Sequence, residues 1–272
     1  MLSVAVITST IGRSDLERAI LSVRQQSYPC KHYVFVDGKQ YHQQAKTILD
    51  KYPEVIVTYL PMNTGANGWT NSSINAIAPF LVKEDVICYL DDDNWYEPNH
   101  VESGVKLLQN EEYDYAYSLR NLYTLDGEFL SPDSIESIGF YRSILPNPID
   151  LKMNIYGNIV NFSVNLHKES HIDTNCFFLH RNIALLVCNT WFSGKQNDTN
   201  VWKTLVNSGL QGICTKLFTV NYIFDVQKFF GGFCIYGTFL EQEKYEIHNA
   251  IIKYLNELNL SNYGGIYPWD QE

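Results

Sequence analysis

The chain has 272 residues and a mass of 31.4 kDa, a length that suits one α/β domain. Its 20 Lys and Arg against 30 Asp and Glu give a net charge of -10 and a pI near 5.1. This acidic balance argues against a nucleic-acid-binding protein, which would need a basic surface. The six cysteines have no CxxC pair and no zinc spacing, so we expect reduced thiols and no zinc site.

Apolar and amphipathic segments alternate through the first 110 residues. Four short apolar segments predict buried strands: LSVAVITS (a strand and not a signal peptide), HYVFVDG, VIVTYL and VICYL. Three amphipathic segments predict helices: SDLERAILSVRQQ, QYHQQAKTILDKY and NSSINAIAPFLV. A further helix is predicted from Glu97, with Pro98 in its first turn. This order predicts a parallel sheet with helices on both faces.

From about Tyr113 the character of the sequence changes. Three segments predict strands, the first of them two strands around the turn Asp126–Gly127: YDYAYSLRNLYTLDGEFLS, NCFFLH and GICTKLFTVNYIF. Three segments predict helices: RNIALLVCN, NDTNVWKTLVNSG and FLEQEKYEIHNAIIKYLNEL. Residues 132–167 are rich in Asn, Pro and Ser and show weak periodicity, so we expect irregular chain there. No apolar segment approaches the roughly 20 residues needed to span a bilayer.

Polar motifs follow three of the predicted strands. TSTIGR comes after the first strand, Asp37–Gly38 after the second, and three consecutive aspartates, Asp91 to Asp93, after the fourth. In an open parallel sheet, ligands gather at the carboxyl ends of the strands. These separate segments are therefore predicted to meet along one edge of the sheet.

The three aspartates are candidates for a metal site. Alternate side chains of an extended chain point the same way, so Asp91 and Asp93 are expected on one side and Asp92 on the other. Two convergent carboxylates suit Mg²⁺ or Mn²⁺, which is usually shared with the phosphates of a substrate. The alternative is a solvated acidic turn that caps the helix predicted near Glu97.

The ordered set of motifs resembles the family 2 glycosyltransferases, which have the GT-A fold. That family typically opens with a strand that ends in a Pro/Thr-rich turn and an Arg. A helix closing on a Q-x-Y-P type turn follows, and then a strand ending in Asp–Gly. The corresponding segments here are VAVITSTIGR, RQQSYP and VFVDG. NTGANGWTN is similar to the family segment N-x-G-x-x-x-x-R-N, with Thr70 in place of the usual Arg or Lys, and YLDDDNWYEP is similar to its LDxDD segment. The resemblance covers about residues 3–110.

The resemblance implies a nucleotide-sugar donor at this edge of the sheet. The residues at the matching positions that would contact the donor are Thr8, Arg13, Asp37, Asn63, Gly65, Asn71, Asp91 and Asp92. A divalent cofactor, Mn or Mg, would be held by Asp91 and Asp93, with Asp93 the more direct ligand. Turn chemistry alone would also explain Thr8 and Asp37, and a solvated charge near a helix start would explain Arg13.

The resemblance extends to a candidate general base. KQNDTNVWKTL is similar to a family segment in which an E-D pair opens a late helix, with Asn197 in place of the Glu and Asp198 at the base position. An inverting transferase needs such a base to take the proton from the acceptor hydroxyl. The alternative is that Asp198 only caps the helix, and both roles are compatible because a helix N-terminus stabilises a carboxylate.

A second late segment, HIDTNCFFLHR, resembles a family loop that approaches the donor sugar and the acceptor. The acceptor or sugar candidates are Trp95, His171, Asp173, Asn175 and Trp191. Indole faces stack well on sugars, although a tryptophan in the core is the alternative for each ring, and a polar loop is the alternative for the others. FFGGF, residues 229–233, is either a hinged lid or a tight turn.

The resemblance implies an inverting, metal-dependent glycosyltransferase (a hexosyltransferase). It would move a sugar from a nucleotide-diphosphate sugar, in the first place a UDP-sugar, to a hydroxyl of a glycan or glycolipid acceptor such as bacterial lipopolysaccharide or capsule. The alternatives are a retaining glycosyltransferase or a sugar nucleotidyltransferase on the same fold, and an inactive glycan-binding relative.

The organisation expected from this resemblance is a single GT-A domain over residues 1–272. Residues 1–112 would form the nucleotide-sugar-binding half of a mostly parallel sheet, and 113–272 a smaller, mixed acceptor-binding half with a C-terminal helix. We expect a cytoplasmic enzyme, with peripheral association at the inner face of the membrane left open. The oligomeric state is also left open.

Overall fold

The computed structural model describes residues 1–155, 157–166, 171–225 and 241–271; the FFGGF segment lies outside these ranges. The strands are β1 Val4–Thr10, β2 Lys31–Asp37, β3 Ile56–Leu60, β4 Val86–Tyr89, β5 Trp95–Tyr96, β6 Tyr115–Tyr123, β7 Phe129–Pro132, β8 Ile149–Ile155, β9 Asn158–Val164, β10 Phe177–His180 and β11 Gly212–Ile223. The α-helices are α1 Leu16–Arg24, α2 His42–Leu49, α3 Ser72–Leu81, α4 His100–Leu108, α5 Arg181–Leu186, α6 Cys188–Trp191, α7 Asn197–Asn207 and α8 Glu241–Asn262. None of the helices within the described ranges is both long and apolar enough to cross a membrane.

The chain divides into two compact units, and the first comprises residues 1–120 and 171–222. Its strands run in the order β3-β2-β1-β4-β10-β6-β11-β5. The first four pair in parallel, whereas β10 pairs antiparallel with both β4 and β6, and β5 pairs antiparallel with β11. The predicted α/β fold, a sheet flanked by helices, is confirmed. Its parallel part comes from the first half of the chain, as the strand and helix order predicts.

Helices α1 and α2 fix the carboxyl ends of β1 and β2. Their apolar side chains recur at helical spacing and meet every second residue of β2 in one buried cluster, which includes Leu16, Ile20, Val34, Val36, Ala45 and Leu49. Each Leu, Ile or Val side chain of this cluster contributes about 1.5–3 kcal/mol when fully buried. This packing holds Thr10 and Asp37, the last residues of the two strands, at one edge of the sheet.

The second unit comprises residues 121–170 and 223–272, and it corrects one prediction. Strands β8 and β9 form an antiparallel hairpin in which Ile149 pairs with Val164, so the expectation of irregular chain across 132–167 is wrong for this part. Ile149 and Leu151 on one face of β8 pack against Ile251 of α8. The strand signal was the alternation of apolar residues in IDLKMNI, which the surrounding Asn and Pro residues obscured.

The predicted start of the fourth helix is also wrong. Helix α4 begins at His100 with Asn99 at its N-cap, so Glu97 and Pro98 precede it. The backbone N–H of Glu97 donates to the carbonyl of Thr219 in β11 at 2.9 Å. The chain at Glu97 therefore still continues the pairing of β5 with β11, and this pairing delays the helix.

Candidate functional site

The turn after β1 is fastened to the acidic segment after β4. Thr10 Oγ1 donates to Asp92 Oδ2 at 2.6 Å, and the Gly12 N–H donates to Thr10 Oγ1 at 2.8 Å. Gly12 has φ +78°, and a Cβ there would lie 2.9 Å from the backbone nitrogen of Ala45. Only glycine fits such a position without strain. This turn therefore places Arg13 beside the acidic segment.

The three aspartates lie in a turn and not on an extended strand, because β4 already ends at Tyr89. Arg13 Nη1 forms an ion pair with Asp93 and lies 3.3 Å from Asp92 Oδ1, so these two consecutive carboxylates share one cation. Asp91 points instead to two amide side chains. Because Asp92 and Asp93 share Arg13, the prediction that Asp92 faces away from Asp93 is wrong.

Asp91 is held by two asparagines. Asn71 Nδ2 donates to Asp91 Oδ1 at 2.7 Å, and Asn175 Nδ2 donates to Asp91 Oδ2 at 3.0 Å. Asn175 Oδ1 also accepts the backbone N–H of Asp91 at 2.6 Å. Asn175 is fully buried, so the prediction that it contacts the acceptor is wrong. Its role is to position Asp91.

The acidic turn, formed by Asp91 to Asp93, has too little positive charge nearby to compensate its three carboxylates. Burial, together with repulsion from Asp93 and Asp173, raises the pKa of Asp91 to about 7. Burial also raises the pKa of Asp92 to about 6 even though Arg13 opposes the shift. Asp92 is only 5% exposed, so the alternative of a solvated acidic turn does not describe this residue. Buried carboxylates with uncompensated charge favour an added cation.

The donor set fits a hard divalent cation. Carboxylate oxygens are the ligands that Mg²⁺ and Mn²⁺ prefer. Within the described ranges, no group of three or more His, Cys, Asp or Glu side chains has an arrangement that could hold a metal by itself. A divalent ion here would therefore need further oxygen ligands, and Mg²⁺ usually takes them from substrate phosphates and water.

Asp37 organises the loop that follows β3. Its Oδ1 accepts the N–H of Thr64 at 2.8 Å, and its Oδ2 accepts the N–H of Gly65 at 2.8 Å. Asn63 Oδ1 accepts the Gly65 N–H as well, at 3.0 Å. A Cβ at Gly65 would overlap the carbonyl oxygen of Thr70, so the close approach of two backbone segments requires glycine. The contacts of Asp37, Asn63 and Gly65 with the donor stay predictions.

We expect Gly65→Ala to destabilise the fold and weaken nucleotide binding together. The added methyl group must push the Thr70 carbonyl away, and overpacking of this kind typically costs about 1–3 kcal/mol. Urea unfolding and UDP titration measure the two effects. Gly209→Ala is the control, because its φ of +71° also strains an alanine, but its Cβ meets nothing within 4 Å. Weakened UDP binding in both variants would contradict a specific role for the Gly65 loop.

Thr8 lies inside β1 and away from the edge of the sheet. It is fully buried, and its Oγ1 lies 2.9 Å from His32 Nε2. Burial lowers the pKa of His32 to about 3, so this pair is neutral and structural. The prediction that Thr8 contacts the nucleoside is wrong, because β1 continues two residues further to Thr10.

Asp198 lies in the first turn of α7. The N-cap of this helix is Gln196, with φ +64°, so the alternative that Asp198 is the N-cap is wrong. Asp198 Oδ1 accepts the N–H of Thr199 at 2.7 Å, and its Oδ2 lies 3.8 Å from His171 Nε2. Burial raises the pKa of Asp198 above the usual range of an aspartate. A carboxylate with a raised pKa is a stronger base.

Asn197 connects α7 to the acidic turn. Its Oδ1 accepts the Asp198 N–H at 2.7 Å, and its Nδ2 donates to Asn71 Oδ1 at 2.9 Å and to Ser72 Oγ at 3.0 Å. Asn71 in turn donates to Asp91. A path of hydrogen bonds therefore runs from the carboxylate of Asp91 to the backbone N–H of Asp198. The sequence drew attention to Asn197 because the family segment has a Glu at this position.

A buried arginine, which the sequence reasoning missed, supports the other side of the site. Arg120 in β6 is 2% exposed, and its Nη1 donates to Asp173 Oδ2 at 2.8 Å. Its guanidinium also lies 4.4 Å from the ring centroid of Tyr222. Asp173 Oδ1 accepts both nitrogens of Asn175, at 2.9 and 2.7 Å. The available signal was a single Arg within the apolar strand segment YAYSLRNLY, because buried arginines are almost always paired.

The candidate tryptophans have different environments. Trp191 is fully buried, with Tyr89 at 4.9 Å and Phe177 at 6.0 Å between ring centroids, so the prediction that it contacts the acceptor is wrong. It is a core residue. Trp95 is half-buried, and the guanidinium of Arg18 lies 4.1 Å from its ring centroid. Trp95 therefore stays a candidate, as do His171 and Asp173.

Known proteins match both the sequence and the fold. The sequence model described as Glycosyl transferase family 2 matches residues 3–183, more than half of the chain. An uncharacterized protein of Haemophilus influenzae is 27% identical over 126 residues, which cover 46% of this chain and 84% of that protein.

Crystal structures of TarS from S. aureus share the fold. TarS 1–349 in complex with UDP-GlcNAc has a TM-score of 0.56 at 11% identity, over 94% of this chain and 67% of that chain. TarS 1–349 in complex with UDP has a TM-score of 0.54 at 10% identity, over 93% and 70%. In a further TarS structure, with a TM-score of 0.51 and 11% identity, the match covers 84% of this chain and only 38% of that one. This likeness confirms the predicted GT-A fold, and the sequence match shows that the chain belongs to glycosyl transferase family 2.

Proposed function

We propose that this chain is an inverting, metal-dependent glycosyltransferase that moves a sugar from a UDP-sugar to a hydroxyl of a glycan or glycolipid acceptor. The observation that carries the proposal is the hydrogen-bonded path from the Asp91 carboxylate through Asn71 and Asn197 to the backbone of Asp198, at the start of α7. It fixes an acidic turn suited to a metal-bound diphosphate relative to a carboxylate suited to be a base. The family and the likeness to TarS, crystallised with UDP-GlcNAc and with UDP, support the choice of donor.

The donor side of the proposed site is built by the loops after β1 and β3. Asp37 shapes the second loop. Its Oδ1 accepts both the N–H and the hydroxyl of Thr64, whereas its Oδ2 accepts the Gly65 N–H and keeps a lone pair for a ribose hydroxyl. Asn63 and Gly65 would lie along the nucleotide. Asn71 would lie between the nucleotide and Asp198, the proposed general base. The Arg13 side chain is 48% exposed and can reach a phosphate.

A divalent ion, Mg²⁺ or Mn²⁺, would be held by Asp91 and Asp93. The Asp93 side chain is 34% exposed, whereas each oxygen of Asp91 accepts one amide N–H and keeps a lone pair. When bound, such an ion neutralises the charge that develops on the leaving nucleotide diphosphate. Asp92, bonded to Thr10, would support the turn that carries these ligands.

Asp198 would remove the proton from the acceptor hydroxyl. The hydroxyl oxygen forms its bond to the anomeric carbon as the bond to the diphosphate breaks, and UDP leaves with that electron pair. A single displacement of this kind inverts the anomeric carbon. The proton stays on Asp198, whose raised pKa suits it to accept one.

The acceptor would approach from the side of α7. Trp69 and Phe192 stack there at 4.9 Å between ring centroids and are 39% and 55% exposed, so they offer an aromatic surface for a sugar ring. His171, Asp173 and Trp95 are the other proposed contacts. A lipopolysaccharide or capsule acceptor, and work in the cytoplasm at the membrane surface, are proposed from the family resemblance.

A thermal-shift screen of nucleotide sugars with and without Mn²⁺ tests the proposal. A ligand at 100 times its Kd stabilises the folded state by about 2.7 kcal/mol, which raises the Tm by roughly 5–10 °C. We expect this shift for UDP and a UDP-sugar with Mn²⁺, and none for ADP, which has the same diphosphate on another base. Absence of any shift across the donors would favour an inactive relative. With a donor in hand, the anomeric configuration of the product distinguishes inversion from retention, and released pyrophosphate would reveal a nucleotidyltransferase.

A further inference from the structure

The guanidinium of Arg13 lies beside the acidic turn, where a bound metal cation would otherwise lie. Its Nη1 forms an ion pair with Asp93 Oδ2 and lies 3.3 Å from Asp92 Oδ1. All three aspartates of the turn act electrostatically on its guanidinium. A divalent ion on Asp93 would therefore meet a positive charge that is already bound to the same oxygen.

The backbone of Arg13 is fixed, but its side chain is able to move. The Gly12 N–H is bonded to Thr10 Oγ1, and the Arg13 carbonyl accepts the N–H of Leu16 at 3.2 Å as α1 begins. In contrast, the Arg13 side chain is 48% exposed, so its guanidinium can leave Asp93 without repacking the core. A guanidinium also binds phosphate in a bidentate manner, which gives it an alternative partner of the same charge.

The neighbouring arginine does not compete in this way. Arg18 Nη2 donates to the backbone carbonyl of Asp93 at 2.7 Å and to Asp15 Oδ1 at 3.0 Å. Because neither bond uses a carboxylate oxygen of the acidic turn, Arg18 leaves those oxygens available. Arg13 thus differs from Arg18 because it contacts carboxylate oxygens of the acidic turn, whereas Arg18 contacts a backbone carbonyl oxygen.

We propose that Arg13 is a resident counter-ion that competes with a divalent cation for Asp93, so that the metal and the nucleotide diphosphate bind together in preference to the metal alone. This inference rests on the proposed function. The diphosphate supplies ligands to the metal and, at the same time, an anionic partner for the displaced guanidinium. Binding of one component therefore favours binding of the other, which is a positive coupling between the two.

Titration with Mn²⁺ alone, followed by isothermal calorimetry, tests the inference. We expect Arg13→Gln to bind Mn²⁺ roughly fivefold or more tightly than the wild type, because one competing charge at a half-exposed site is removed. UDP should increase the Mn²⁺ affinity of the wild type by a larger factor than that of the variant. Arg13→Lys, which keeps the charge, should resemble the wild type.

Arg24→Gln is the matched control. It also removes one positive charge, but Arg24 lies at the end of α1, where it pairs with Glu54 at 3.6 Å, and both side chains are exposed. Its affinity for Mn²⁺ should stay within about twofold of the wild type, since exposed pairs far from a site act weakly on it. Arg13→Met provides a second neutral variant, and the melting curve of each variant reports its folding.

The outcomes separate the inference from the proposed function. Equal or weaker Mn²⁺ binding by Arg13→Gln and Arg13→Met, with wild-type binding of Mn²⁺ and UDP together intact, would overturn the inference alone. If the wild type bound neither Mn²⁺ nor Mg²⁺ even with UDP, the metal-dependent function would fail and the inference with it. Tighter Mn²⁺ binding in Arg24→Gln as well would assign the effect to net charge and overturn the specific role of Arg13.

Discussion

Asp198→Asn is expected to retain UDP binding and to lose sugar transfer by about 10²- to 10⁴-fold, the usual contribution of a general base. The amide has almost the same shape, and its oxygen can still accept the Thr199 N–H that Asp198 Oδ1 accepts at 2.7 Å. It cannot take a proton from the acceptor hydroxyl. The measurement is the rate of UDP release with donor and acceptor glycan, together with the Kd for UDP.

Asp50→Asn provides the control for this substitution. Asp50 undergoes the same chemical change at an exposed position, where it pairs with Lys46 at 2.9 Å. Its transfer rate should equal that of the wild type. Transfer by Asp198→Asn at the wild-type rate would show that another group is the base.

The pH dependence of transfer gives a second measure of the same group. Burial, the largest cause, raises the pKa of Asp198, although His171 nearby opposes the shift. The basic form is therefore lost at a higher pH than for an ordinary aspartate as the solution is acidified. We expect the rate to fall on the acid side at that raised pKa, and this limb to disappear in Asp198→Asn.

Asp93→Ala is expected to abolish the effect of Mn²⁺ on UDP binding. Asp93, whose side chain is 34% exposed, is the proposed direct ligand. Loss of a direct ligand should weaken metal affinity by at least about 100-fold, since even residues that only support ligands contribute 10- to 100-fold. Calorimetric titration of UDP with and without Mn²⁺ measures the loss.

The control for Asp93→Ala is Asp50→Ala, which removes the same charge at a distant surface position. It should keep the full Mn²⁺ effect. An Asp93→Ala protein that is folded and still binds UDP more tightly with Mn²⁺ would remove Asp93 from the metal site. Asp91 would then be the carboxylate to test next.

Local patterns predicted the elements of the first half of the fold well. The strands and helices from β1 to β4 follow apolar periodicity and short turns, which depend on residues close together in the chain. The pattern failed at the acidic turn, where β4 ends at Tyr89 and the aspartates curve away from the strand direction. The apolar pattern of a sequence does not show where a strand ends when the residues after it are bonded to distant parts of the chain.

The roles of single site residues were predicted less well, for a related reason. Thr8, Asn175 and Trp191 have the residue types expected of a binding site, yet all three are fully buried. Arg120, which the sequence reasoning missed, is buried as well, and its partner Asp173 is 53 residues away in the chain. Burial depends on what packs over a residue, and a residue type does not specify that.

The sequence by itself determined the family, the order of the first four strands, and the placement of the acidic triplet after the fourth. Only the tertiary structure decided which partner each carboxylate takes: Arg13 for Asp93, Asn71 and Asn175 for Asp91. These partners lie 80, 20 and 84 residues away in the chain. The physical reason is that three adjacent carboxylates, buried or partly buried, need compensating donors and charge, and the folded chain supplies these from segments that meet only when the sheet forms.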